Sequence, residues 1–359
     1  MKDPICIYNS AVYFADKQLR TVQRSQYELS DEEAARLEIR REDLHLPNLH
    51  LIISTGAGAL GAENFAKDVL VPLLETLQVS FDTHLTTSAT SHQEYAAQRI
   101  HNDPTLVFLA GDTTVSQTIN ALPSHLTPSI ILFPFGTANA LYHSLDLSSP
   151  LTNLIFGRPR PIQTFGVIIG TPVETHTRTA LVVASWGLHA SLVADAEELR
   201  NEGPQKFAIA VQRHLTPAHA YNGRVSFNGH DFTQSAYVLV TNRRKLEETF
   251  TVSPSSNTEN ENLYMVYIGA MEGSELKDIL RSGYNGDFSK AEGVVYEEVD
   301  EVDVTVEEDD PRWMRTCVDG EIHSNTVSLH IARGKGRTVY LHHIPTSSQP
   351  PYLYSTSSE

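Results

Sequence analysis

The sequence predicts two domains: an α/β domain with a doubly wound, mostly parallel sheet, followed by an antiparallel β-sandwich domain. Its 359 residues exceed what one hydrophobic core usually holds. Strand and helix patterns alternate from His50 to about residue 145, and segments of period 2 dominate after residue 150. We expect a lead-in segment over 1–46, the α/β domain over 47–150, the β-rich domain over 151–344 and a flexible tail over 345–359.

The lead-in segment begins with a β-like piece, ICIYNSAVYF. A charged helix follows it, and Ser30 and Glu33 form a capping box at its start. The α/β domain then repeats one unit, a buried strand followed by a helix. Its strands are LHLIIST, VSFDTHLT, TLVFLA and SIILFPF, and its helices are AENFAKDVLVPLLETL, SHQEYAAQRI, VSQTINAL and ANALYHSL.

The second domain is predicted from alternating apolar and polar residues. These strands are TFGVIIG, TALVVASW, GRVSFN, AYVLVTN, NLYMVYIGAM, VDVTV, VSLHIA and TVYLHHI. Two stretches favour helix, ADAEELRNEGPQKFAIAVQRHL and SELKDILRS. The acidic run between Glu292 and Asp310 is interpreted as a solvated strand and turn.

Composition excludes several classes of protein. A net charge of −17 argues against nucleic-acid binding and against constitutive docking on anionic lipid. Two cysteines are too few for a disulfide framework, and neither a signal peptide nor a membrane-spanning stretch is visible. We therefore expect a cytoplasmic protein with at most peripheral membrane contact, and the oligomeric state stays open.

The first candidate site is a glycine-rich turn, Gly56 to Gly61, between a strand and a helix. Such a GxGxxG turn lets backbone approach a phosphate at a helix N-terminus. A dinucleotide fingerprint needs an acid at the end of the next strand, whereas Asp82 falls near that strand's beginning. The turn is therefore interpreted as a nucleotide phosphate loop of another kind, with the dinucleotide site and a plain tight turn as alternatives.

Two more polar loops follow buried strands: AGDTT, containing Asp112, and PFGTAN, ending at Asn139. Paired strand-end loops with Gly, Thr and Asp or Asn can offer amide and hydroxyl groups to a polyphosphate. The alternative for Asp112 is an ordinary helix N-cap.

These motifs, in order with Ser185-Trp186-Gly187 and the late Asp319-Gly320-Glu321, resemble the family of diacylglycerol, ceramide and sphingosine kinases. The resemblance covers roughly residues 51–341, and SWGLHASLVADAEELR is most similar to the sphingosine kinase branch. It implies phosphoryl transfer from ATP with Mg²⁺ to an apolar, lipid-type acceptor.

The resemblance also implies roles for individual residues. Asp112 would activate the acceptor hydroxyl or organise the magnesium nucleotide, and Asp319 would act on Mg²⁺ through ATP. The implied nucleotide-binding residues are Gly56, Gly58, Thr86, Gly111, Thr113, Thr114, Gly136, Thr137, Asn139, Glu197, Arg200, Lys206 and Glu321. The implied substrate residues are Trp186, Leu188 and Val193.

Some positions depart from the family pattern. Thr113 stands where the family has glycine, and its branched side chain narrows the space beside a phosphate. Val193 stands where sphingosine kinases carry an acid. A second hypothesis is therefore a degenerate or repurposed kinase fold that binds a ligand, regulates or performs other chemistry, and a third is an NAD(P)-dependent oxidoreductase using the first turn.

Three further observations limit other hypotheses. Sixteen histidines occur without zinc-type spacing, and the sequence lacks the motifs of α/β-hydrolases and P-loop NTPases. The basic run Arg243-Arg244-Lys245 is interpreted as a solvated turn. For Asp319-Gly320 the alternative is a structural hairpin turn, because Asp-Gly between strands is a strong turn signal.

Overall fold

The computed structural model describes residues 3–8, 11–15, 22–25, 44–56, 61–145, 147, 150–215, 218–257, 262–286 and 288–344. The chain divides into two compact units, one of residues 1–137, 146–162 and 339–359, the other of residues 138–145 and 163–338. The charged helix predicted after residue 29 lies outside the described residues, as does the predicted tail.

The chain begins with a three-stranded antiparallel sheet of short strands. These strands are β1 (Asp3–Tyr8), β2 (Ala11–Ala15) and β3 (Val22–Ser25). The first two overlap the β-like piece predicted at the N-terminus.

The first unit is built on a six-stranded sheet in the order β5-β4-β6-β7-β22-β8. Five of these strands run parallel, and β8 is antiparallel to β22. The strands are β4 (Leu49–Ile53), β5 (Phe81–Leu85), β6 (Thr105–Ala110), β7 (Ser129–Pro134), β8 (Arg158–Ile162) and β22 (Val339–His343). Every residue of β4 and β6 is buried, as a parallel sheet covered on both faces requires.

The helices between β4 and β8 include those of the predicted alternation. They are α1 (Ala62–Phe65), a π-helical turn (Ala66–Leu70), α2 (Val71–Thr76), α3 (Ser91–Arg99), α4 (Asp112–Ala121), α5 (Ala140–Ser144) and α6 (Pro150–Phe156). Of these, α5 belongs to the second unit, and α6 was not predicted. Apolar residues of α1, α2, α6 and the π-helical turn pack on one sheet face, where Leu51, Leu109 and Phe133 are at most 2% exposed. This packing fixes the strand ends that carry the polar loops.

The second unit is an eleven-stranded antiparallel sheet that curls. Its main path is β10-β9-β21-β18-β12-β13-β11-β19-β20, with β16 beside β13 and β17 beside β16. The long strand β13 pairs with β12 up to Ser235 and with β11 from Tyr237, so the sheet bends at the irregularity between them. Ion-pair contact between Arg178 of β10 and Glu321 of β20 shows that the two ends of the path approach each other.

The strands of this unit are β9 (Phe165–Gly170), β10 (Thr175–Ala180), β11 (Val183–Gly187), β12 (Tyr221–Phe227), β13 (His230–Thr241), β16 (Leu263–Gly269), β17 (Val294–Val299), β18 (Glu301–Val306), β19 (Thr316–Val318), β20 (Glu321–His323) and β21 (Ser328–Arg333). A separate small hairpin consists of β14 (Lys245–Glu247) and β15 (Phe250–Thr251). The fold class predicted from the sequence is confirmed, with a curled antiparallel sheet as its second part.

The second unit also contains the helices α7 (Leu188–Glu198), α8 (Lys206–Leu215) and α9 (Gly273–Ser282), and α7 packs against the sheet. The sequence predicted one helix where α7 and α8 stand. A 3₁₀ segment (Arg200–Gln205) separates them, because Gly203 adopts a positive φ of 58° that helix cannot contain.

One strand joins a sheet that the sequence did not predict. The pattern TVYLHHI was assigned to the antiparallel sandwich, but β22 lies in the first sheet, parallel to β7 and antiparallel to β8. The Tyr340 amide donates to the Pro128 carbonyl at 2.9 Å. Alternation of apolar and polar residues identifies a strand but not the strand it pairs with, so only the structure could assign β22 to the first sheet.

Candidate functional site

Three polar loops of the first unit lie at one edge of its sheet. Ile53 of β4 pairs in register with Leu85 of β5 and Leu109 of β6, and Ala110 pairs with Pro134 of β7. Parallel strands in register end together, so the segments that follow these strands emerge side by side. In open α/β sheets this carboxyl edge is where ligands bind.

The first loop is attached to the end of β5 through threonines. The Thr55 amide donates to the Thr86 hydroxyl oxygen at 3.0 Å, and the Thr55 hydroxyl donates to the Thr86 carbonyl at 2.8 Å. Gly56 follows and is exposed, with no atom within 4 Å of an added Cβ, while Gly58 lies outside the described residues. The predicted nucleotide residue Thr86 therefore fixes where the glycine turn begins.

The second and third loops approach each other at two glycines. A Cβ added at Gly111 would lie 3.1 Å from the Gly136 Cα, so little space separates the two backbones. Gly111 is extended (φ −98°, ψ 174°) and is the N-cap of α4. Asp112 is the first helical residue and half-buried, so the N-cap alternative for Asp112 does not apply.

The backbone amide groups at this edge of the sheet are suited to binding a phosphate group. The N-terminal turn of a ten-residue helix such as α4 presents amide groups without helical acceptors and the positive end of the helix dipole. A glycine N-cap provides no side chain to occupy those amides. Thr113 and Thr114 lie half-buried in this first turn, and Thr137 is exposed after Gly136.

The PFGTAN loop crosses from the first compact unit into the second. Asn139 is 9% exposed and has a left-handed backbone (φ 49°), and it precedes α5 as its N-cap. Its carbonyl accepts the His143 amide at 3.0 Å. Asparagine is one of the few residues that adopt this conformation readily.

In the second unit, the predicted substrate residues surround the junction of β11 and α7. Trp186 is fully buried, and its indole nitrogen donates to the Trp313 carbonyl at 3.2 Å. Leu188 is buried and Val193 is half-buried. Trp186 therefore belongs to the core of the curled sheet.

The nucleotide residues predicted on the following helices differ in exposure. Glu197 is exposed on α7, and the Lys206 ammonium lies 5.2 Å from the centre of the Phe207 ring at the start of α8. Arg200 belongs to the 3₁₀ segment.

Asp319 is an acceptor for backbone amides. Its carboxylate accepts the amides of Leu181, Val182 and Val183 at 2.7, 2.9 and 2.8 Å, and the residue is 2% exposed. Asp319 and Gly320 have φ of 49° and 86°, the conformation of a two-residue type I′ hairpin between β19 and β20. The hairpin geometry and the buried amides together give Asp319 a structural role.

Arg243 extends this buried network. Its guanidinium donates to the Leu181 carbonyl at 2.8 Å and to the Gln163 carbonyl at 2.7 Å, and the residue is 2% exposed. Burial lowers the pKa of Arg243 to about 10, and the Asp319 carboxylate acts against that shift. The predicted solvated turn is therefore wrong at Arg243.

Glu321 follows the hairpin and contacts two basic groups. Its carboxylate lies 3.6 Å from the Arg178 Nε and 3.7 Å from the His323 Nε2. Desolvation by burial lowers the pKa of His323, and Glu321 opposes that shift. Glu321 thus links β20 to the other end of the sheet path.

Sequence reasoning missed a polar cluster beside Cys317. The Ser185 hydroxyl lies 2.7 Å from the His189 Nδ1, and Ser185 pairs with Cys317 on the neighbouring strand. The His189 ring meets the Tyr237 ring edge to face, with the ring centres 6.0 Å apart. The spacing of Ser185 and His189 is the only signal in the sequence, and it depends on the helix beginning at Leu188. Among the described residues, no group of three His, Cys, Asp or Glu side chains could hold a metal ion.

Comparisons with known proteins agree with the motifs. Residues 48–167, about a third of the chain, match the model of the diacylglycerol kinase catalytic domain. No curated protein sequence matches the chain. No helix among the described residues has the length and apolar character to cross a membrane.

Solved structures show the same fold. A crystal structure of a "putative diacylglycerol kinase" from Bacillus anthracis str. Sterne has a TM-score of 0.63 at 16% identity and covers 85% of this chain and 99% of its own. A further structure of a diacylglycerol kinase from the same organism has a TM-score of 0.56 at 13% identity with the same coverage. The sphingosine kinase branch predicted from SWGLHASLVADAEELR is not confirmed. Residues 48–167 carry the diacylglycerol kinase catalytic domain match within a fold of that type, which confirms the predicted lipid-kinase resemblance at family level.

Proposed function

We propose that this protein transfers the γ-phosphate of ATP to a hydroxyl group of an apolar, lipid-type acceptor. One observation carries the proposal: the close approach of the Gly111 and Gly136 loops beside the start of α4, inside the segment that matches the catalytic domain model. Phosphoryl transfer depends on positioning and charge stabilisation rather than on covalent help from the protein.

The residues at this edge fit a magnesium nucleotide. Amides near Gly111 and Gly136 bind the phosphates, and Thr86 holds the first loop in position. Asp112 accepts the proton of the acceptor hydroxyl or orients the metal. When bound, Mg²⁺-ATP would supply the transferable phosphoryl group, and the metal would offset the negative charge of the phosphates.

The lipid acceptor and the compartment are parts of the same proposal. The resemblance to the lipid kinases supports an apolar acceptor, and the net charge of −17 supports small-molecule rather than nucleic-acid partners. A buried free thiol at Cys317 is consistent with a cytoplasmic location.

A second candidate is a ligand-binding protein without phosphoryl transfer. The observation that favours it is the Asp319 carboxylate, both of whose oxygens already accept backbone amides. Thr113 at the α4 N-terminus, in place of glycine, points the same way.

Transfer of labelled γ-phosphate distinguishes these functions. Wild type, Asp112→Asn and Asp82→Asn are incubated with Mg-ATP and a panel of diacylglycerol, ceramide, sphingoid bases and a whole-cell lipid extract. We expect a lipid product from wild type and from Asp82→Asn, since Asp82 pairs near the opposite end of β4 and β5. We expect a loss of ~10²-fold or more with Asp112→Asn.

Each other outcome has a definite meaning. Transfer that survives Asp112→Asn would contradict the assigned role. No product from folded wild type would favour the binding function. Tight NADH binding without ATP binding would favour the oxidoreductase hypothesis.

A further inference from the structure

The polar cluster formed by Ser185, His189, Tyr237 and Cys317 belongs to the second unit. Ser185 of β11 pairs directly with Cys317 of β19, so both side chains share one face of the sheet. Gly187 pairs with Tyr237 of β13 and places that tyrosine on the same face. Ser185, Cys317 and Tyr237 are therefore neighbours through the sheet register.

The backbone at Gly187 brings His189 over this face. Gly187 has a φ of 83°, and a Cβ there would lie 2.9 Å from the Ala236 carbonyl oxygen. Only glycine turns the strand directly into α7 at this point. The turn places His189 in the first turn of the helix, where its Nδ1 lies 2.7 Å from the Ser185 hydroxyl oxygen.

The surroundings of the cluster are apolar. Ser185 and Cys317 are fully buried, Tyr237 is 2% exposed, and Phe288 packs its ring against Tyr237 at 5.8 Å. Burial lowers the pKa of His189 to about 4, so this imidazole is uncharged at neutral pH. Burial likewise keeps the Cys317 thiol protonated, with a pKa raised to about 12.

Two polar atoms of the cluster remain unused. Within the part of the chain that the structure describes, neither the His189 Nε2 nor the Tyr237 hydroxyl has a hydrogen-bond partner. Part of His189 is accessible to solvent although Leu188 and Ala190 beside it are buried. Neither atom is among the fully enclosed, unpaired polar atoms of the described residues, so each can take a hydrogen bond from a ligand or from water.

We propose that His189 and Tyr237 form a recognition site for an uncharged hydroxyl or carbonyl group of an apolar ligand. A hydroxyl group both donates and accepts, so it satisfies a neutral imidazole and a phenol together. An ammonium group only donates, and it would bring a charge into a desolvated place where the described contacts of His189 and Tyr237 are a hydroxyl group and aromatic rings. This inference deepens the proposed function, because it names an uncharged lipid as the acceptor. It rests on the proposed function only for the phosphoryl transfer that follows binding.

A matched pair of lipids tests the proposal without nucleotide. N-acetylsphingosine and sphingosine share one chain, but the first is uncharged and the second carries an ammonium group. Their affinities are measured by isothermal titration with wild type, His189→Gln, His189→Leu and Tyr237→Phe. The matched control is His330→Leu, which removes a half-exposed histidine of β21 that pairs with Asp303.

We expect wild type to bind the neutral lipid at least ~10-fold more tightly than the amine. His189→Leu and Tyr237→Phe should each weaken neutral-lipid binding by ~5–10-fold, His189→Gln by less, and His330→Leu not at all. Equal affinities for both lipids, or unchanged binding in folded His189→Leu and Tyr237→Phe, would overturn the proposal. So would the absence of binding to folded wild type.

The test separates this inference from the proposed kinase activity. Neutral-lipid binding that depends on His189 and Tyr237, without any γ-phosphate transfer, would leave the inference standing and remove the kinase proposal. Phosphoryl transfer to a lipid that is unaffected by the His189 and Tyr237 variants would support the kinase proposal and remove this inference.

Discussion

The two units use acidic residues in opposite ways after similar sequence signals. Asp112 and Asp319 both follow a buried strand and stand beside a glycine. Asp112 opens α4 at the sheet edge and is half-buried, whereas Asp319 is 2% exposed and accepts three amides. The comparison shows that similar sequence signals can place an acid at the start of a helix on a sheet edge in one unit and make it an anchor for buried amides in the other.

The largest expected effect comes from removing that anchor. Asp319→Ala leaves three buried amides without their acceptor and leaves the Arg243 guanidinium without its neighbouring negative charge. We expect the free energy of unfolding to fall by about 3–5 kcal/mol. Urea unfolding followed by tryptophan fluorescence measures it, because the two tryptophans of the chain, Trp186 and Trp313, both lie in the second unit.

Two variants control this experiment. Asp319→Asn keeps one carbonyl oxygen and tolerates the positive φ, so its loss should be clearly smaller. Asp303→Ala removes an exposed acid paired with His330 and should cost at most about 1 kcal/mol. A stable Asp319→Ala protein would contradict the structural role and return Asp319 to the catalytic candidates.

The next effect tests the turn between β11 and α7. Gly187→Ala combines an unfavourable φ of 83° with a Cβ only 2.9 Å from the Ala236 carbonyl oxygen. We expect about 2–3 kcal/mol of destabilisation in the same fluorescence assay. Gly203→Ala is the control, since its φ is also positive but nothing lies within 4 Å of the added Cβ, and it should cost about 1 kcal/mol. Equal losses in both variants would show that contact with Ala236 is unimportant.

Sequence patterns predicted the first unit closely and the second less completely. The strand TLVFLA coincides with β6, because a buried run bounded by loops leaves little choice of register. The loops that follow β6 and β7 were predicted as neighbours, and the approach of Gly111 to Gly136 agrees with that expectation. Local sequence patterns are enough to predict the strands and their neighbouring loops where connections are short and strands are parallel.

Long-range pairing limited the prediction of the second unit. Nothing local marks β22 as a strand of the first sheet, and nothing in Arg243-Arg244-Lys245 shows that the first residue is buried. The cluster of His189 and Tyr237 depends on a register between β11 and β13 that joins residues about fifty positions apart. Such contacts follow from sheet assembly, which period and composition do not determine.

Each unit contains a histidine whose desolvation makes stability depend on pH. Burial lowers the pKa of His342 in the first unit and of His189 in the second to about 4, from an ordinary value of 6.5. The folded state therefore binds fewer protons than the unfolded state, so this stability is present above pH 6.5 and is lost as pH falls towards 4. Between pH 7 and pH 5 each histidine should account for a loss of about 2 kcal/mol.

Replacing each histidine separates the two contributions. His342→Gln should flatten the pH dependence seen by circular dichroism, and His189→Gln should flatten the dependence seen by tryptophan fluorescence. A pH slope that neither variant changes would assign the acid sensitivity to other groups.

The smallest expected effect concerns the approach of the two phosphate loops. Gly111 has an extended backbone that alanine adopts freely, so any cost of Gly111→Ala arises from the 3.1 Å contact with the Gly136 Cα. We expect about 1 kcal/mol of destabilisation and ~5–10-fold weaker ATP binding by calorimetry, because the displaced loop no longer presents its amides together. Gly56→Ala, with nothing near its added Cβ, should leave the free energy of unfolding within about 0.5 kcal/mol of wild type. If Gly111→Ala bound ATP as tightly as wild type, the Gly111 and Gly136 loops would not be the phosphate site. The contrast between a ligand-binding edge in the first unit and a structural anchor in the second would then have no support.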